Sequence, residues 1–552
     1  MNRRLVDSVG TGRSAPTAQL QVRRLGSKYN RPPAQRNNGN VFGMNANTPV
    51  IIGVGQSQQR PSDPTTGLEP IDLLDAAALM AVDDSEAKRD IVADIDTIGI
   101  VGMVSWPYPD PAALLADRLG AKNVRRTVLT TTGGNSPEML LHEIAHSILR
   151  GDNKSALIGG AECIYSRRRA MGESRSHLDW TTDERPLCPE IIGDDRPGNN
   201  PIEIAHHADM PTSVYPLLET ALRAVAGHTV DEHQKIVSEL WEKFSAVAAT
   251  NPDAWLKESK TASEIRTVSA SNRMIDFPYP KLMCANIIVD QAAAVIICSY
   301  EAAQLAGVPE EKMVFPLSGS DAHDHYFFSE RDRLDTSPAI KETSAAALTA
   351  AGIGIDDVAR FDLYSCFPAA VQISMGAMGL GKPGDTRPLT LTGGLGFAGG
   401  PANNYSMHAI AKMVEACRTD PASIGLVHAL GWYATKHSVG LYSTTPPKNG
   451  YVRVDPKSCQ NVVNAQPSRT SVGSYAGEAT IESTSVPYDR EGEPEVAIIT
   501  LIAPDGSRVL ANTTDKEMME AIASEAQENK KAKLTTDGKT TTLVDITENK
   551  NK

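Results

Sequence analysis

The chain has 552 residues, 41% hydrophobic and 22% charged, with a formal net charge of −13. That length and apolar content suffice for several buried cores and suggest about two to four domains, while the acidic balance offers nothing global to nucleic acid or an anionic membrane. A ligand must therefore be recognised locally. The seven cysteines, at 163, 188, 284, 298, 366, 417 and 459, show no CxxC and no paired spacing, and read as reduced cytosolic thiols. No apolar run approaches the roughly 20 residues of a membrane span, and the N-terminus lacks a secretory apolar core, so a cytoplasmic protein is expected.

Residues 1–43 carry seven arginines and one lysine against the single acid Asp7. Such a segment cannot bury enough apolar surface to fold alone; an Arg-rich, acid-poor leader can be an organelle transit peptide, but a disordered extension, upstream of a natural start at Met44, is the favoured expectation. Order begins at "PVIIGVGQS" (49–57), an apolar run of buried-strand type. A helix follows with apolar residues at Ile71, Leu74, Ala77, Ala78 and Val82. Then come strand 95–101, helix 111–119, strand 125–131, helix 135–150 and strand 155–160. Strands alternating with helices imply crossover units and a mostly parallel sheet.

The alternation breaks over about 163–281, which holds "SRRRAMGESR", a Pro- and Asp-rich piece and a helical segment at 231–249. It reads as a large insertion of the kind that carries ligand contacts. "NIIVDQAAAVIICS" (286–299) returns to the sheet. The pattern then repeats: strand 313–318, helix 337–351, strand 360–364, helix 367–379, strand 388–392, helix 402–417 and strands 423–429 and 438–443. The element order suggests a duplicated α/β unit. Beyond "TTPPKNG", residues 478–514 alternate as strands around the turn "PDGS", giving a small β domain of barrel or OB type, and 527–552 reads as a mobile tail.

Four stretches, in order, carry a family resemblance: "GDNKSALIGGAE", "VDQAAAVIICS", "YSCFPAAV" and "TGGLGFAGGPANNYS". They resemble, respectively, the Gly-Gly-x-Glu segment, the Asp-Gly-Ala-Ala-Ala strand, the Asn-Glu-Ala-Phe or His-Asp-Cys-Phe turn, and the Gly-His-Pro loop of the thiolase superfamily. The likeness spans about 48–445 and is strongest to sterol-carrier-protein-type thiolases and the mycobacterial-type thiolase-like proteins type 1, which add a C-terminal β domain. It implies an α/β thiolase fold of two tandem βαβαβαββ halves in five layers plus an OB-like β domain. The halves would be 44–300, with a coenzyme A-binding loop insertion at about 163–281, and 301–448, followed by the β domain at 449–526.

Thiolases take the acyl group on a cysteine at a helix N-terminus, where the helix dipole favours thiolate. Counting back from Gly159 and Gly160, that position falls on Gly134, which has no side chain to acylate. The Gly-His-Pro histidine, which would polarise a thioester oxygen, falls on Gly400, and the Cys-x-Gly cysteine on Ala429. Only Cys366 remains of the recognisable catalytic thiols. It reads either as an acid/base or substitute nucleophile whose pKa falls at a strand-to-helix turn, or as a small buried apolar filler; the second is preferred because Gly134 offers no reaction partner. His428 and His437, with Lys436 beside them, lie at the end of the sheet where ligands bind, and hydrogen-bonded structural histidines are an equal reading.

The likeness also sets a pantetheine-contacting serine on Asn286, and places Arg167, Arg168 and Arg169 where they could meet phosphates or simply face solvent. "HH" at 206–207 and "HDH" at 323–325 lack a third ligand at metal spacing, so no metal is expected. The implied function is a thiolase-like protein of lipid metabolism that binds coenzyme A or acyl-CoA as a ligand, with no tightly bound cofactor and little or no thiolase activity. The alternative is an acyltransferase of altered mechanism using Cys366 with His428 or His437. A monomer is favoured over a homodimer, with a lipid-degradation partner subunit as a further implication.

Overall fold

The structure, a computed structural model, describes residues 44–174, 178–182 and 184–547; the expected extension at 1–43 lies outside the described residues. In the first half a six-stranded sheet runs in the order Pro49–Gln58, Asp290–Ser299, Ser155–Cys163, Thr97–Ile100, Arg126–Thr130 and Glu190–Ile192. Its second strand in that order, Asp290–Ser299, is wholly buried, as its unbroken apolar run dictates. The last four strands pair in parallel, as the alternation implies. Asp290–Ser299 is antiparallel to both neighbours. It enters from the long insertion rather than from a crossover helix, so the rule that makes sequential strands parallel does not bind it.

The second sheet runs Val358–Leu363, Ile424–Gly431, Lys436–Ser443, Phe315–His323 and Val452–Arg453. The second half therefore extends past the expected boundary at 448. The segment 388–392 is not a strand, contrary to the sequence reading. Pro388 and Leu389 accept the Phe361 and Leu363 N–H groups at 2.9 Å, but the N–H groups of Leu391 and Thr392 go instead to the buried Asp362 carboxylate. A side chain has taken the donors that a ladder would use.

Helices Ser136–Arg150 and Tyr405–Thr419 lie between the two sheets, with Pro70–Asp84 and Pro111–Leu119 outside the first and Pro338–Ala351 and Pro368–Met378 outside the second, giving the five layers. Ser136–Arg150 starts with Pro137 in its first turn and stops at left-handed Gly151. It buries Leu140, Leu141, Ile144 and Ile148, and also Glu138 and His142. The His142 ring sits 3.3 Å from both Glu138 and Asp321. Burial alone would lower its pKa, but the Asp321 and Glu138 carboxylates raise it to about 9, so the sandwiched helix carries an imidazolium between two acids.

The C-terminal domain is a closed five-stranded barrel. Gly477–Pro487 pairs with Ala497–Ile502, which pairs with Arg508–Thr513, then Thr541–Thr547, then Lys531–Thr536, which returns to the first. Helix Lys516–Ser524 sits between the third and fourth strands in sequence, an OB-like arrangement. The expected mobile tail is thus mostly barrel wall: Ala532, Leu534 and Leu543 point into the core, and closure removes the edges that a three-stranded meander would expose.

The barrel is bound to the insertion. Strand Met274–Phe277 pairs with the end of Gly477–Pro487, and on helix Pro211–Ala226 Thr220 both donates to and accepts from the Thr484 backbone, at 2.9 and 3.0 Å. Next to it Arg223 grips Glu528 with Nη2 at 2.6 and 2.7 Å from the two carboxylate oxygens, both residues being buried. Removing one member leaves the other charge buried and unmatched. Arg223→Met should cost about 3–5 kcal/mol of stability, and Arg223→Met/Glu528→Leu should recover most of it; urea denaturation of the three proteins measures both.

Candidate functional site

The turn into helix Ser136–Arg150 is held by the opposite half of the molecule. Gly133 N–H donates to Asn403 Oδ1 at 2.9 Å, Asn403 donates on to Gly102 O at 2.8 Å, and Ser406 Oγ donates to Gly134 O at 3.0 Å. At the nucleophile position itself, a Cβ on Gly134 would lie 2.2 Å from Tyr364 Oη and 2.4 Å from Leu430 O. Both are impossible contacts, one of them with backbone. The space a cysteine would need is filled by the tyrosine that opens "YSCF". Burial, then the neighbouring Cys366, pushes the Tyr364 phenol well above its ordinary pKa, so it stands there as a neutral hydroxyl.

Gly400 differs. A Cβ there would meet Leu395 and Asn286 O at 3.4 and 3.5 Å, ordinary contact distances. Its N–H donates to Asn286 O at 2.9 Å, and Asn286 N–H donates to Leu395 O at 3.0 Å, so two of the residues singled out by likeness are clamped together. Asn286 is half-buried, and its Oδ1 accepts Ile288 N–H at 3.3 Å. Ala429 is buried within strand Ile424–Gly431 opposite Ser438.

Cys366, His428 and His437 divide into two groups. The two imidazoles stack 5.4 Å apart, with His428 Nε2 3.2 Å from His437 Nδ1. The chain of contacts continues from His428 Nδ1 to Ser374 Oγ at 3.3 Å and from His437 Nε2 to Asp324 Oδ2 at 3.4 Å. Burial, then the adjacent His437, drives the His428 pKa well below the ordinary value. Asp324 is depressed although burial would raise it, because His437, Arg331 and Ser337 hold it as a carboxylate.

Cys366 instead partners the Tyr215 hydroxyl, which also accepts Ala434 N–H and donates to Trp432 O. Burial pushes the Cys366 thiol up to about 12 despite that bond and those of the turn. The fall expected at a strand-to-helix turn does not occur, because desolvation outweighs the local hydrogen bonds. The adjoining Phe367 stacks on Tyr215 and Tyr279 at 4.7 and 5.6 Å.

In the insertion, helix Ile164–Arg169 presents Arg167 half-buried and Arg168 exposed. Arg169 donates to Pro61 O and Tyr165 Oη at 3.1 and 2.9 Å. Tyr165 in turn meets Trp255 edge-on at 5.5 Å, and Arg60 stacks on Trp255 at 3.8 Å. Sequence reasoning missed Arg60, Trp255 and the blocking Tyr364, since all three are remote in sequence from the groups they face. Glu162 of the Gly-Gly-x-Glu stretch accepts the Val104 and Ser105 N–H groups at 2.8 Å each, and burial raises its pKa to about 7 against those bonds.

The histidines of the "HH" and "HDH" stretches are placed as follows. His206 accepts Thr541 N–H, His323 faces Arg196 at 2.9 Å, and His325 meets Gln466 O; His207 is exposed. Among the described residues no group of three or more acids, histidines or cysteines is placed to hold a metal ion, and no helix is long and apolar enough to cross a membrane.

The family model for the thiolase-like protein type 1 additional C-terminal domain matches residues 458–539. Comparison with curated protein sequences gives no match. Among solved structures, the monomeric SCP2-thiolase-like protein type 1 from Mycobacterium smegmatis is 35% identical with a TM-score of 0.77, covering 91% of this chain and 99% of its own. The dimeric peroxisomal thiolase of Saccharomyces cerevisiae is 13% identical with a TM-score of 0.52, over 72% of this chain and 98% of that one. Human mitochondrial 3-ketoacyl-CoA thiolase is 15% identical with a TM-score of 0.51, over 73% and 100%. The last two establish likeness of fold. The first, with its near-complete coverage, makes this chain a member of the SCP2-thiolase-like protein type 1 family.

Proposed function

We propose that the protein binds coenzyme A or an acyl-CoA in lipid metabolism and has little or no thiolase activity. The observation that carries this reading is the blocked Gly134: Tyr364 Oη and the Leu430 carbonyl occupy the volume of any side chain there. Ligand binding is supported by the Asn286–Gly400 clamp and by the cationic and aromatic group that Arg169, Tyr165 and Trp255 of the insertion form with Arg60, which suits phosphates and an adenine ring. The acyltransferase alternative needs a Cys366 thiolate, which burial opposes, and Cys366 partners a tyrosine rather than an imidazole.

A monomer acting in the cytoplasm is part of the same reading. The outer edge of Arg126–Thr130 is paired with the chain's own Glu190–Ile192 and fastened by Arg126 to Glu190 at 2.6 and 2.9 Å, so that edge is not open to a second copy. With the barrel already joined to the body, a separate lipid-degradation subunit is a weaker element of the proposal.

Calorimetric titration of the full chain with coenzyme A and with short and long acyl-CoAs should give binding, and intact mass spectra of the same mixtures should be unchanged. No heat with any of them overturns ligand binding; an acyl adduct mapped to Cys366 overturns the loss of chemistry. Gly134→Ala should lower stability by about 1–3 kcal/mol through overpacking, measured by urea denaturation, and a neutral result would remove the blocked-site argument.

A further inference from the structure

A cavity of about 280 Å³ opens beside the same turn, lined by Thr131, Asn135, Met139, His323, Pro456 and Gln460 together with Lys436. Lys436 begins strand Lys436–Ser443 and is only 6% exposed, yet it lines this space. Nζ lies 2.7 Å from Thr132 O and 2.6 Å from Asp194 O, and a Cβ on Gly133 would sit 3.4 Å from it. None of these contacts is part of the clamp or imidazole chain described above.

Two carbonyl acceptors are what a neutral amine requires. Its two N–H groups satisfy Thr132 O and Asp194 O, and the nitrogen lone pair is left over. An ammonium in the same place has a third N–H, with the face of the Trp432 ring, 5.9 Å from Nζ to its centroid, as its further neighbour. Burial disfavours the charged state and enlarges the neutral fraction, and the known route to a nucleophilic lysine is desolvation of this kind. Burial lowers the Lys436 pKa to about 8, against the Asp194 and Asp195 carboxylates that raise it, with Arg196 adding to the fall.

We propose that Lys436 is a covalent capture site that takes a small aldehyde or ketone from the cavity as an imine. The Nζ lone pair attacks the carbonyl carbon, forming the C–N bond, and the carbonyl oxygen gains a proton that the nitrogen gives up. The C–O bond then breaks and the oxygen leaves as water with a second proton. Amine plus carbonyl compound thus gives imine plus one water, with no oxidant or reductant. When the imine is protonated, its one N–H keeps a bond to one of the two carbonyls. The cavity's size, at the lower end for small-molecule pockets, limits the ligand to a few carbons, so this chemistry is separate from coenzyme A binding.

Reductive labelling tests it. The full chain is treated at pH 7 with a low concentration of propanal and sodium cyanoborohydride, digested, and each lysine followed by mass spectrometry over time. Lys436 should be alkylated at least about tenfold faster than exposed lysines such as Lys235, the advantage a larger neutral fraction gives, and should lose that lead in urea. In Lys436→Arg the fast event should vanish with the other rates unchanged. Labelling of Lys436 no faster than Lys235, or only after unfolding, overturns the proposal and leaves Lys436 as a pin between two loops.

Discussion

The constraint on which the candidate site depends is the approach of two backbones and a tyrosine at one α-carbon. The helix that begins after Gly134 lies between both sheets, so its entry turn is gripped from the opposite half by Asn403 and Ser406 and sealed by Tyr364 and Leu430. Tyr364, Leu430 and the segment carrying Asn403 and Ser406 reach that point from three separate parts of the second half. The cost of moving any one is spread over all, because close-packed interiors transmit displacement rather than absorb it.

The same packing explains why the retained polar residues have other work. In the second half, histidines of the second sheet form an internal chain from Ser374 to Asp324. The thiol at the adjoining turn is tied to Tyr215 and too deeply buried to ionise readily. Both groups hold elements together: Ser374 links a covering helix to the sheet, and Tyr215 links the insertion to the hairpin carrying Trp432 and Ala434. Chemistry-bearing residue types are thus no guide to chemistry once desolvation has set their protonation state.

Much of the fold was legible because buried strands and amphipathic helices announce themselves by apolar runs and period. Ser155–Cys163 and Tyr405–Thr419 fall where the pattern puts them. The errors share a physical cause. At 388–392 the backbone donors are claimed by Asp362, a partner remote in sequence. At 531–547 the alternation of Ala532, Leu534 and Leu543 is diluted by Lys, Thr and Asp on the outer face, and only barrel closure makes those strands stable. In the site, spacing could find Gly134 but not its obstruction, because Tyr364 meets it only through tertiary packing.

The seam between insertion and barrel has a consequence for how the chain can be divided. Strand Met274–Phe277 uses a barrel strand as its hydrogen-bonding neighbour, and Asp276 on it is buried against Ser485 Oγ at 2.6 Å. A protein cut before the barrel would not be a smaller thiolase-like body. It would carry an open sheet edge, an Arg223 stripped of Glu528 and an Asp276 stripped of Ser485 on its insertion, the part that faces the proposed ligand. The C-terminal segment is therefore a structural organ of the first half, and a gene truncated there would lose both together.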